Sequence, residues 1–200
     1  MSLKVLGRAS SINVRKVLWT CAELDLHFEH VESDAALLAH NPNRQVPVIQ
    51  DGEFVLWESN AICRYLASQQ PRATLLPTEP EPRALVEQWM DWQATDLNAS
   101  WRYAFLGLVR KSPAHSDPDA IAAGVQEWNR HMVLLDEHFE RGGQFITGEF
   151  FTLADVVIGL STHRWLLSPI ERPPLDAVHG YYQRLSVRPA FRAQVDAHVP

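Results

Sequence analysis

The chain of 200 residues is 46% apolar and 21% charged, an ordinary globular composition that leaves room for one large domain or two smaller ones. Its formal net charge of −6, with basic residues scattered singly, argues against binding to nucleic acid or to an anionic membrane surface. The stretch from Met1 to Gly7 has too few apolar residues for a signal peptide or a membrane span, so we expect a cytoplasmic protein. Cys21 and Cys63 lie in apolar, helix-patterned segments, and we expect buried reduced thiols rather than a disulfide.

The first part of the chain alternates short strands and helices. Apolar runs predict four strands, at 3–6, 28–31, 46–50 and 53–57. Apolar spacing predicts three helices, at 14–24, 35–39 and 59–68. Asp51-Gly52 between two apolar runs is typical of a tight hairpin. The order is βαβαββα, a small α/β unit whose first crossover should join two parallel strands.

Three prolines stand close together after this unit: Pro77, Pro80 and Pro82. Because proline disfavours both a helix interior and a central strand, we interpret 77–82 as a linker. The expected domains are therefore residues 1–76 and 83–200.

Beyond the linker, apolar residues recur at helical spacing and no strand is convincing, so the second domain should be all-helical. Its clearest local signal is a helix start at FFTLADVV. There Thr152 and Asp155 match a capping box, and Phe151 and Val156 match a hydrophobic staple.

The turn GRASSINVRK carries Ser10, Ser11 and Asn13 just before the first helix. Free N–H groups and the positive end of the helix dipole stabilise an anion there by about 0.3–1 kcal/mol, so a thiolate would suit this position. Serine is also a common N-cap, and the turn taken alone favours that structural interpretation.

A proline, Pro47, stands at the start of the predicted third strand. A cis Val46-Pro47 bond would turn the N–H and C=O of Val46 outward, where an extended peptide could pair with them. An ordinary trans proline at a strand start is the alternative.

Glu58 and Ser59 stand at the start of the third predicted helix. Ser59 suits an N-cap, and the helix start suits a carboxylate, while Glu58 suits an ammonium group. Together they would recognise the head of an α-amino acid; a simple cap beside a solvated acid is the alternative.

Four segments in this order carry a resemblance to a known family: NPNRQVPVI, ESNAICRYL, FTLADVVIG and YYQRLSVRPAFRAQ. The chain resembles the cytosolic glutathione transferases essentially end to end, and is similar to bacterial members of the serine/asparagine, theta/beta-like type. The resemblance implies a thioredoxin-like domain that binds glutathione, followed by an all-helical domain that lines a pocket for the second substrate. It further implies conjugation of the glutathione thiolate to small hydrophobic electrophiles, a detoxification activity, in a homodimer without a metal.

The same resemblance implies roles for individual residues. Ser11 matches the hydroxyl that donates to the glutathione sulfur, Asn13 a residue that takes over or shares this role, and Ser10 is the third candidate. Trp101, on the helix after the linker, is the candidate contact for the electrophile, although aromatic residues at this density are also typical of a core.

The tripeptide itself would lie along the segment from Gln45 to Ser59. Val46 would pair with the cysteinyl backbone before a cis Pro47. Glu58 and Ser59 would hold the γ-glutamyl head, and Gln45 would reach the glycine carboxylate.

Two departures from the family pattern qualify these roles. The segment 30–41 is shorter than usual, which predicts fewer contacts to the glycine end. The SSIN turn has neither cysteine nor tyrosine, which argues against reductase chemistry through a protein–glutathione disulfide. Two alternatives stay open: a non-catalytic binding or scaffold protein, and a glutathione-dependent isomerase or dehalogenase.

One further cluster is weaker. Glu127, His131 and His138 share a predicted helix, where a metal site would need all three on one face. We prefer to interpret them as a solvated helix surface.

Overall fold

The computed structural model describes residues 3–70 and 75–196. The strands are β1 (Leu3–Leu6), β2 (Phe28–Val31), β3 (Val48–Asp51) and β4 (Phe54–Trp57). The helices are α1 (Ile12–Glu23), α2 (Ala35–Leu38), α3 (Ser59–Ser68), α4 (Pro80–Trp92), α5 (Asn98–Leu108), α6 (Pro118–Glu140), α7 (Leu153–Leu167), α8 (Asp176–Ser186) and α9 (Pro189–Phe191). Among these residues one compact unit comprises those up to 83 together with those from 186 onward, and the other comprises 84–185.

The first unit holds a four-stranded sheet in the order β2-β1-β3-β4. Strand β1 pairs parallel to β2 and antiparallel to β3, and β3 and β4 form the expected hairpin. The predicted order βαβαββα and the parallel first pair are confirmed. Strand β3 begins at Val48 rather than at Val46, because Pro47 has no N–H to donate to the ladder.

Helix α1 is largely buried and packs against α3. Cys21 and Cys63 are both free and buried, as expected. Burial raises the pKa of the Cys21 thiol to about 12, with a smaller contribution from Cys63, and burial raises the pKa of the Cys63 thiol to about 11. Both residues therefore stay protonated at neutral pH and act as small apolar side chains.

The second unit is helical; among its described residues the only β-type pairing is an isolated bridge between Phe145 and Gly148. The predicted capping box is present, since the Thr152 side chain and the Asp155 side chain each bond the other residue's backbone N–H. Phe151 and Val156, the expected staple pair, are both buried. No helix in the described part of the chain combines the length and the apolarity needed to cross a bilayer.

The segment 77–82 is only partly a loop, because α4 begins at Pro80. The expectation that this proline-rich stretch cannot be helical is wrong for residues 80–82. Proline is tolerated in the first turn of a helix, where its missing N–H would have no intrahelical acceptor. The division into domains at 1–76 and 83–200 stays a proposal.

Among the described residues, the segment 189–196 packs on α1 within the first unit, a feature that the sequence did not suggest. The Phe191 ring meets the Trp19 ring edge-on, with centroids 5.1 Å apart. Arg188 donates to both carboxylate oxygens of Glu23, at 2.8 and 2.6 Å, and Trp19 Nε1 donates to the same carboxylate at 2.9 Å.

Replacing Arg188 by alanine should lower the free energy of unfolding by about 2 kcal/mol, because Glu23 loses a bidentate partner while largely shielded from water. The Glu23 side chain is 10% exposed and the Arg188 side chain 28% exposed. Urea unfolding measures the loss. Arg141→Ala is the matched control, since Arg141 is 77% exposed and lies 3.9 Å from Glu137, and it should change stability by less than about 0.5 kcal/mol. Equal effects of the two variants would contradict this account.

Candidate active site

A cleft of about 770 Å³ opens in the first unit, at the end of β1 and the start of α1. It is lined by Leu6, Arg8, Ser11, Asn13, Glu32, Ser33, Asp34, Ala35, Leu38, Arg44, Gln45 and Val46. Four residues singled out from the sequence therefore share one cavity: Ser11, Asn13, Gln45 and Val46. Ser10, Pro47, Glu58 and Ser59 are not among the residues that line it.

Ser11 is the N-cap of α1 by position, yet its side chain makes no capping hydrogen bond. The backbone forms the cap instead, because the Ser11 carbonyl accepts from Arg15 N–H at 3.0 Å. A serine N-cap, the structural interpretation of this turn, is therefore present at Ser11, but its side chain makes no hydrogen bond to the helix. Ser11 and Asn13 both line the cleft at the positive end of a twelve-residue helix. Ser10 is exposed in the preceding turn.

Gly7 lets the β1–α1 turn lie directly against Val46. Its φ of 135° is one that other residues rarely adopt, and a Cβ placed there would lie only 2.7 Å from Val46 Cβ. The Gly7 carbonyl accepts from His30 Nε2 at 2.6 Å. Gly7 and His30 thus position this wall of the cleft. In the sequence, a glycine directly after a predicted strand could have indicated this close approach of the backbone.

The loop before β3 carries the expected cis bond between Val46 and Pro47. Asn41, which the sequence did not single out, organises this loop: its Nδ2 donates to the Gln45 carbonyl at 2.7 Å, and its Oδ1 accepts from Asn43 N–H at 2.9 Å. Only 5% of Asn41 is exposed. An asparagine whose side chain accepts from the backbone N–H two residues ahead is typical of an Asx turn. The tendency of asparagine to form such turns could have indicated this role from the sequence.

For the glutathione site that the family resemblance implies here, replacing Asn41 by alanine should raise KM for glutathione about tenfold with a smaller change in kcat, because the loop that carries Gln45 and Val46 loses both side-chain bonds. Steady-state kinetics with varied glutathione measure the effect. Asn43→Ala is the matched control, since it stands in the same loop, is exposed, and bonds Asn41 through its backbone N–H, which the substitution keeps. An unchanged KM in the Asn41 variant would contradict the positioning role.

Helix α3 begins at Ser59, and its N-cap is Glu58 rather than Ser59. Glu58 has a φ of 78°, a left-handed value that is costly for a residue other than glycine. This turn lets the Glu58 carbonyl accept from Ile62 N–H at 2.9 Å. Ser59 is 3% exposed in the first turn, where N–H groups have no intrahelical acceptor, and the Glu58 side chain is exposed. The prediction that Ser59 is the N-cap is therefore wrong. The predicted helix start next to an acidic residue is present.

Charged side chains of both signs line the cleft. Arg8 and Arg44, which the sequence analysis did not select, place two cations on its lining. On the same cavity surface, Asp34 is engaged as the N-cap of α2, accepting from Leu37 N–H at 2.9 Å.

Comparison with known proteins identifies this architecture. A family model of the glutathione S-transferase N-terminal domain matches residues 1–68. The glutathione S-transferase GstB of Escherichia coli is 37% identical over 199 residues, which cover 94% of this chain and 95% of that protein. A theta class glutathione S-transferase from Xanthomonas axonopodis pv. citri, in a crystal structure with glutathione bound, has a TM-score of 0.89 and 37% identity, with 97% of each chain covered. The chain belongs to the glutathione S-transferase family.

This membership confirms the fold expected from the sequence, a thioredoxin-like N-terminal domain followed by a helical region. It also confirms the expected class of enzyme, a glutathione transferase with glutathione as co-substrate. The cleft described above lies within the part of the chain that matches the family's N-terminal domain.

Trp101 of this glutathione transferase lies in the core of the second unit. It is 8% exposed, its ring lies 5.4 Å from the Phe105 ring, and the Arg164 guanidinium lies 4.6 Å from its centroid. This packing favours a core role over the electrophile contact considered for it.

The histidines on α6 do not form a solvated surface, contrary to expectation. His131 is 6% exposed, and its Nδ1 bonds the Glu127 carbonyl at 2.8 Å. The ring of His138 is half-buried, with Nε2 bonded to the Ile146 carbonyl at 2.8 Å. In the described part of the chain no group of three or more potential ligands is arranged to hold a metal ion.

Proposed function

We propose that this enzyme binds glutathione in the cleft of the first unit and stabilises its thiolate with Ser11 and Asn13. The observation that carries the proposal is the convergence of Ser11, Asn13, Gln45 and Val46 on one cavity at the start of α1. The Ser11 hydroxyl makes no cap bond, and it can therefore donate to a sulfur anion. The position of Ser10 outside the lining favours the other two candidates over it.

The thiolate is the reactive species, because a free thiol with a pKa of about 8.5 is mostly protonated at neutral pH. Each unit by which the site lowers this pKa corresponds to about 1.4 kcal/mol of preferential thiolate stabilisation. Hydrogen bonds from Ser11 and Asn13, together with the N-terminus of α1, are sufficient to lower the pKa of the glutathione thiol by one or two units. The sulfur then attacks a carbon of the electrophile, a C–S bond forms, and the leaving group departs with its electron pair.

The rest of the tripeptide would extend from this point along the two flanking segments. The backbone of Val46 would pair with the cysteinyl residue beside the cis Pro47, and Gln45 would reach the glycine carboxylate. Arg44 adds a cation to the same wall of the cleft. The γ-glutamyl head would lie at the start of α3, with its carboxylate on Ser59 and its ammonium group near Glu58.

Calorimetric titration with glutathione, together with the ultraviolet band of a bound thiolate near neutral pH, tests this proposal. We expect saturable binding and a thiolate band. Failure to bind would overturn the proposal, and binding without the band would move thiolate stabilisation away from Ser11 and Asn13. Turnover with small apolar electrophiles separates the transferase from a binding or scaffold protein. Product analysis separates it from an isomerase or dehalogenase.

We further propose that the protein is a cytoplasmic homodimer. Free buried thiols at Cys21 and Cys63 suit a reducing compartment. Apolar side chains on α4 and α6 are open to solvent, with Leu85 53% and Leu134 41% exposed.

Light scattering on the eluting protein should give twice the chain mass of 22.7 kDa. A Leu134→Glu variant should give a lower mass. Phe150→Glu, at a side chain that is 71% exposed outside these two helices, is the matched control and should not. A native mass of one chain would overturn the dimer.

A further inference from the structure

Arg8 is a cation of the cleft to which the proposed function gives no task. It lines the same cavity as Ser11 and Asn13, and it is exposed in the turn that follows β1. Within the described ranges, no residue forms a hydrogen bond or an ion pair with the Arg8 side chain. Its guanidinium therefore keeps its hydrogen-bond donors for water or for a bound molecule.

A tight turn holds the backbone of Arg8 close to Ser11. The Ser11 N–H donates to the Arg8 carbonyl at 3.0 Å, which closes a four-residue turn whose end α-carbons lie within about 7 Å of each other. Just before this turn, the Gly7 N–H donates to the Val31 carbonyl at 2.8 Å, and Gly7 lies against Val46. Arg8 thus has a fixed attachment point beside the residue proposed to hold the glutathione sulfur.

Glutathione itself has two carboxylates, and the proposed function gives a partner to each of them. The glycine carboxylate would lie at Gln45, next to Arg44 on the same lining, and the γ-glutamyl carboxylate would lie at Ser59. Arg8 therefore remains for a third anionic group. The second substrate, which must approach the sulfur, is the molecule that can supply one.

The exposure of Arg8 favours direct contact with a substrate over an effect on the thiolate at a distance. Water and salt screen an exposed charge from groups that it does not touch. A carboxylate in contact with a guanidinium accepts two parallel charge-assisted hydrogen bonds instead. Glu32 and Asp34 lie on the same lining, but within the residues described neither forms an ion pair with Arg8. These acids oppose its charge without occupying its donors.

We propose that Arg8 determines specificity for the second substrate by binding a carboxylate on a small apolar electrophile. The inference rests on the proposed function, in which Ser11 and Asn13 hold the thiolate, and it adds an anionic group to the class of electrophile. The sulfur attacks the carbon that bears the leaving group and a C–S bond forms. The leaving group departs with the electron pair of its broken bond, while the carboxylate stays on Arg8 unchanged.

Two electrophiles that differ in one group test the proposal. The first, 4-chloro-3,5-dinitrobenzoate, is an anion, and 4-chloro-3,5-dinitrobenzamide is its neutral counterpart of nearly the same shape. Glutathione displaces chloride from both. Steady-state kinetics give kcat/KM for each compound, divided by the rate constant of its uncatalysed reaction with glutathione. We expect a larger acceleration for the anion, and Arg8→Gln should lower that acceleration about tenfold while changing the acceleration for the amide less than about twofold.

Three further variants separate the charge of Arg8 from its fork of donors and from the fold. Arg8→Lys keeps the charge without the planar fork, and it should lose less than Arg8→Gln. Glu32→Gln removes an opposing charge and should raise the acceleration for the anion. Lys4→Gln removes a positive charge from β1 at a side chain that is 39% exposed and not part of the cleft lining, so it should change neither rate.

Equal losses for the two electrophiles in Arg8→Gln would overturn the inference, because the charge would then act on the thiolate or on the fold. An unchanged preference for the anion in that variant would overturn it as well. Circular dichroism shows whether each variant is folded. If Arg8→Gln is not, Arg8→Lys and Glu32→Gln decide, and a native preference in both would refute a role for Arg8.

Calorimetric titration with glutathione separates this inference from the proposed function. Absence of glutathione binding by the unchanged protein would overturn both. An unchanged protein that binds glutathione and accelerates the reaction of the anion no more than that of the amide would overturn this inference alone. Arg8→Gln should bind glutathione as the unchanged protein does, and weaker binding would assign Arg8 to a carboxylate of glutathione instead.

Discussion

Replacing both Ser11 and Asn13 by alanine is expected to lower kcat/KM for glutathione conjugation by about 100-fold. Ser11 and Asn13 line the same cleft at the N-terminus of α1, and the proposed function has both donate to one sulfur atom. Loss of a single donor to a developing anion commonly lowers kcat by about 100-fold or more, and a neighbouring donor that remains can mask part of that loss. Each single variant should therefore be less impaired than the double variant.

The pH dependence gives a signature that a structural defect would not. Without the donors, the pKa of the bound thiol should rise toward its ordinary value of about 8.5, and the activity of the double variant should recover as the pH is raised. The bound-thiolate band should shift in the same direction. Ser10→Ala, in the same turn but outside the cleft lining, is the matched control and should leave both readouts unchanged. A double variant with native activity would place thiolate stabilisation elsewhere.

Replacing Asp155 by alanine is expected to lower the free energy of unfolding by about 3–4 kcal/mol. The Asp155 carboxylate is fully buried at the start of α7 and accepts from Ile146 N–H, Thr152 N–H and the Tyr181 hydroxyl, at 2.9, 2.9 and 3.1 Å. Alanine would leave these donors without that acceptor and would remove the half of the capping box that Asp155 contributes. Urea unfolding measures the loss. Asp119→Ala, at an exposed acid in the first turn of α6, is the matched control and should lower stability by less than about 1 kcal/mol.

The size of the Asp155 effect should depend on pH in a defined direction. Burial raises the pKa of Asp155 to about 6 from its ordinary 3.8, against hydrogen bonds that lower it. The pKa of Asp155 is higher in the folded state than in the unfolded state. Its carboxyl group therefore contributes most to the free energy of unfolding below about pH 4, and part of that contribution is lost as the pH rises through 6. The stability difference between the native protein and Asp155→Ala should therefore be larger at pH 4 than at pH 7. A difference that grows with pH would contradict a raised pKa.

Local patterns predicted most of the secondary structure and part of the candidate site. Short apolar runs placed β1 and β2, the Asp51-Gly52 pair placed the hairpin, and the spacing of Thr152 and Asp155 identified the start of α7. These succeeded because each depends on neighbours within a few residues. The prediction of a non-helical segment at 77–82 was wrong for residues 80–82. Proline disfavours a helix interior, but whether Pro80 can begin a helix depends on the residues that follow it.

A second group of residues, overlooked or misassigned from the sequence, depends on distant partners. Nothing near Lys16 or His131 in the chain shows that either is buried, because their burial comes from packing against other elements of their own unit. Asn41 and Gly7 act through contacts to Gln45 and Val46, and Arg188 acts through Glu23. Polar residues are mostly exposed in globular proteins, so the sequence alone favoured a solvated position for His131 and gave no reason to expect burial of Lys16 or Asn41.

The sequence by itself determined the type and order of the elements and the two helix starts that bear Ser11 and Ser59, since these follow from periodicity and local hydrogen bonding. Together with the resemblance of four ordered segments, this was enough to indicate the family. Only the tertiary structure brought Ser11 and Asn13 onto one cavity with Gln45 and Val46, freed the Ser11 hydroxyl from capping, and placed the Lys16 ammonium beside Asn60. Such juxtapositions arise from the packing of α1, α3 and the loop before β3 around one sheet, and that packing joins residues separated by 30 or more positions in the chain.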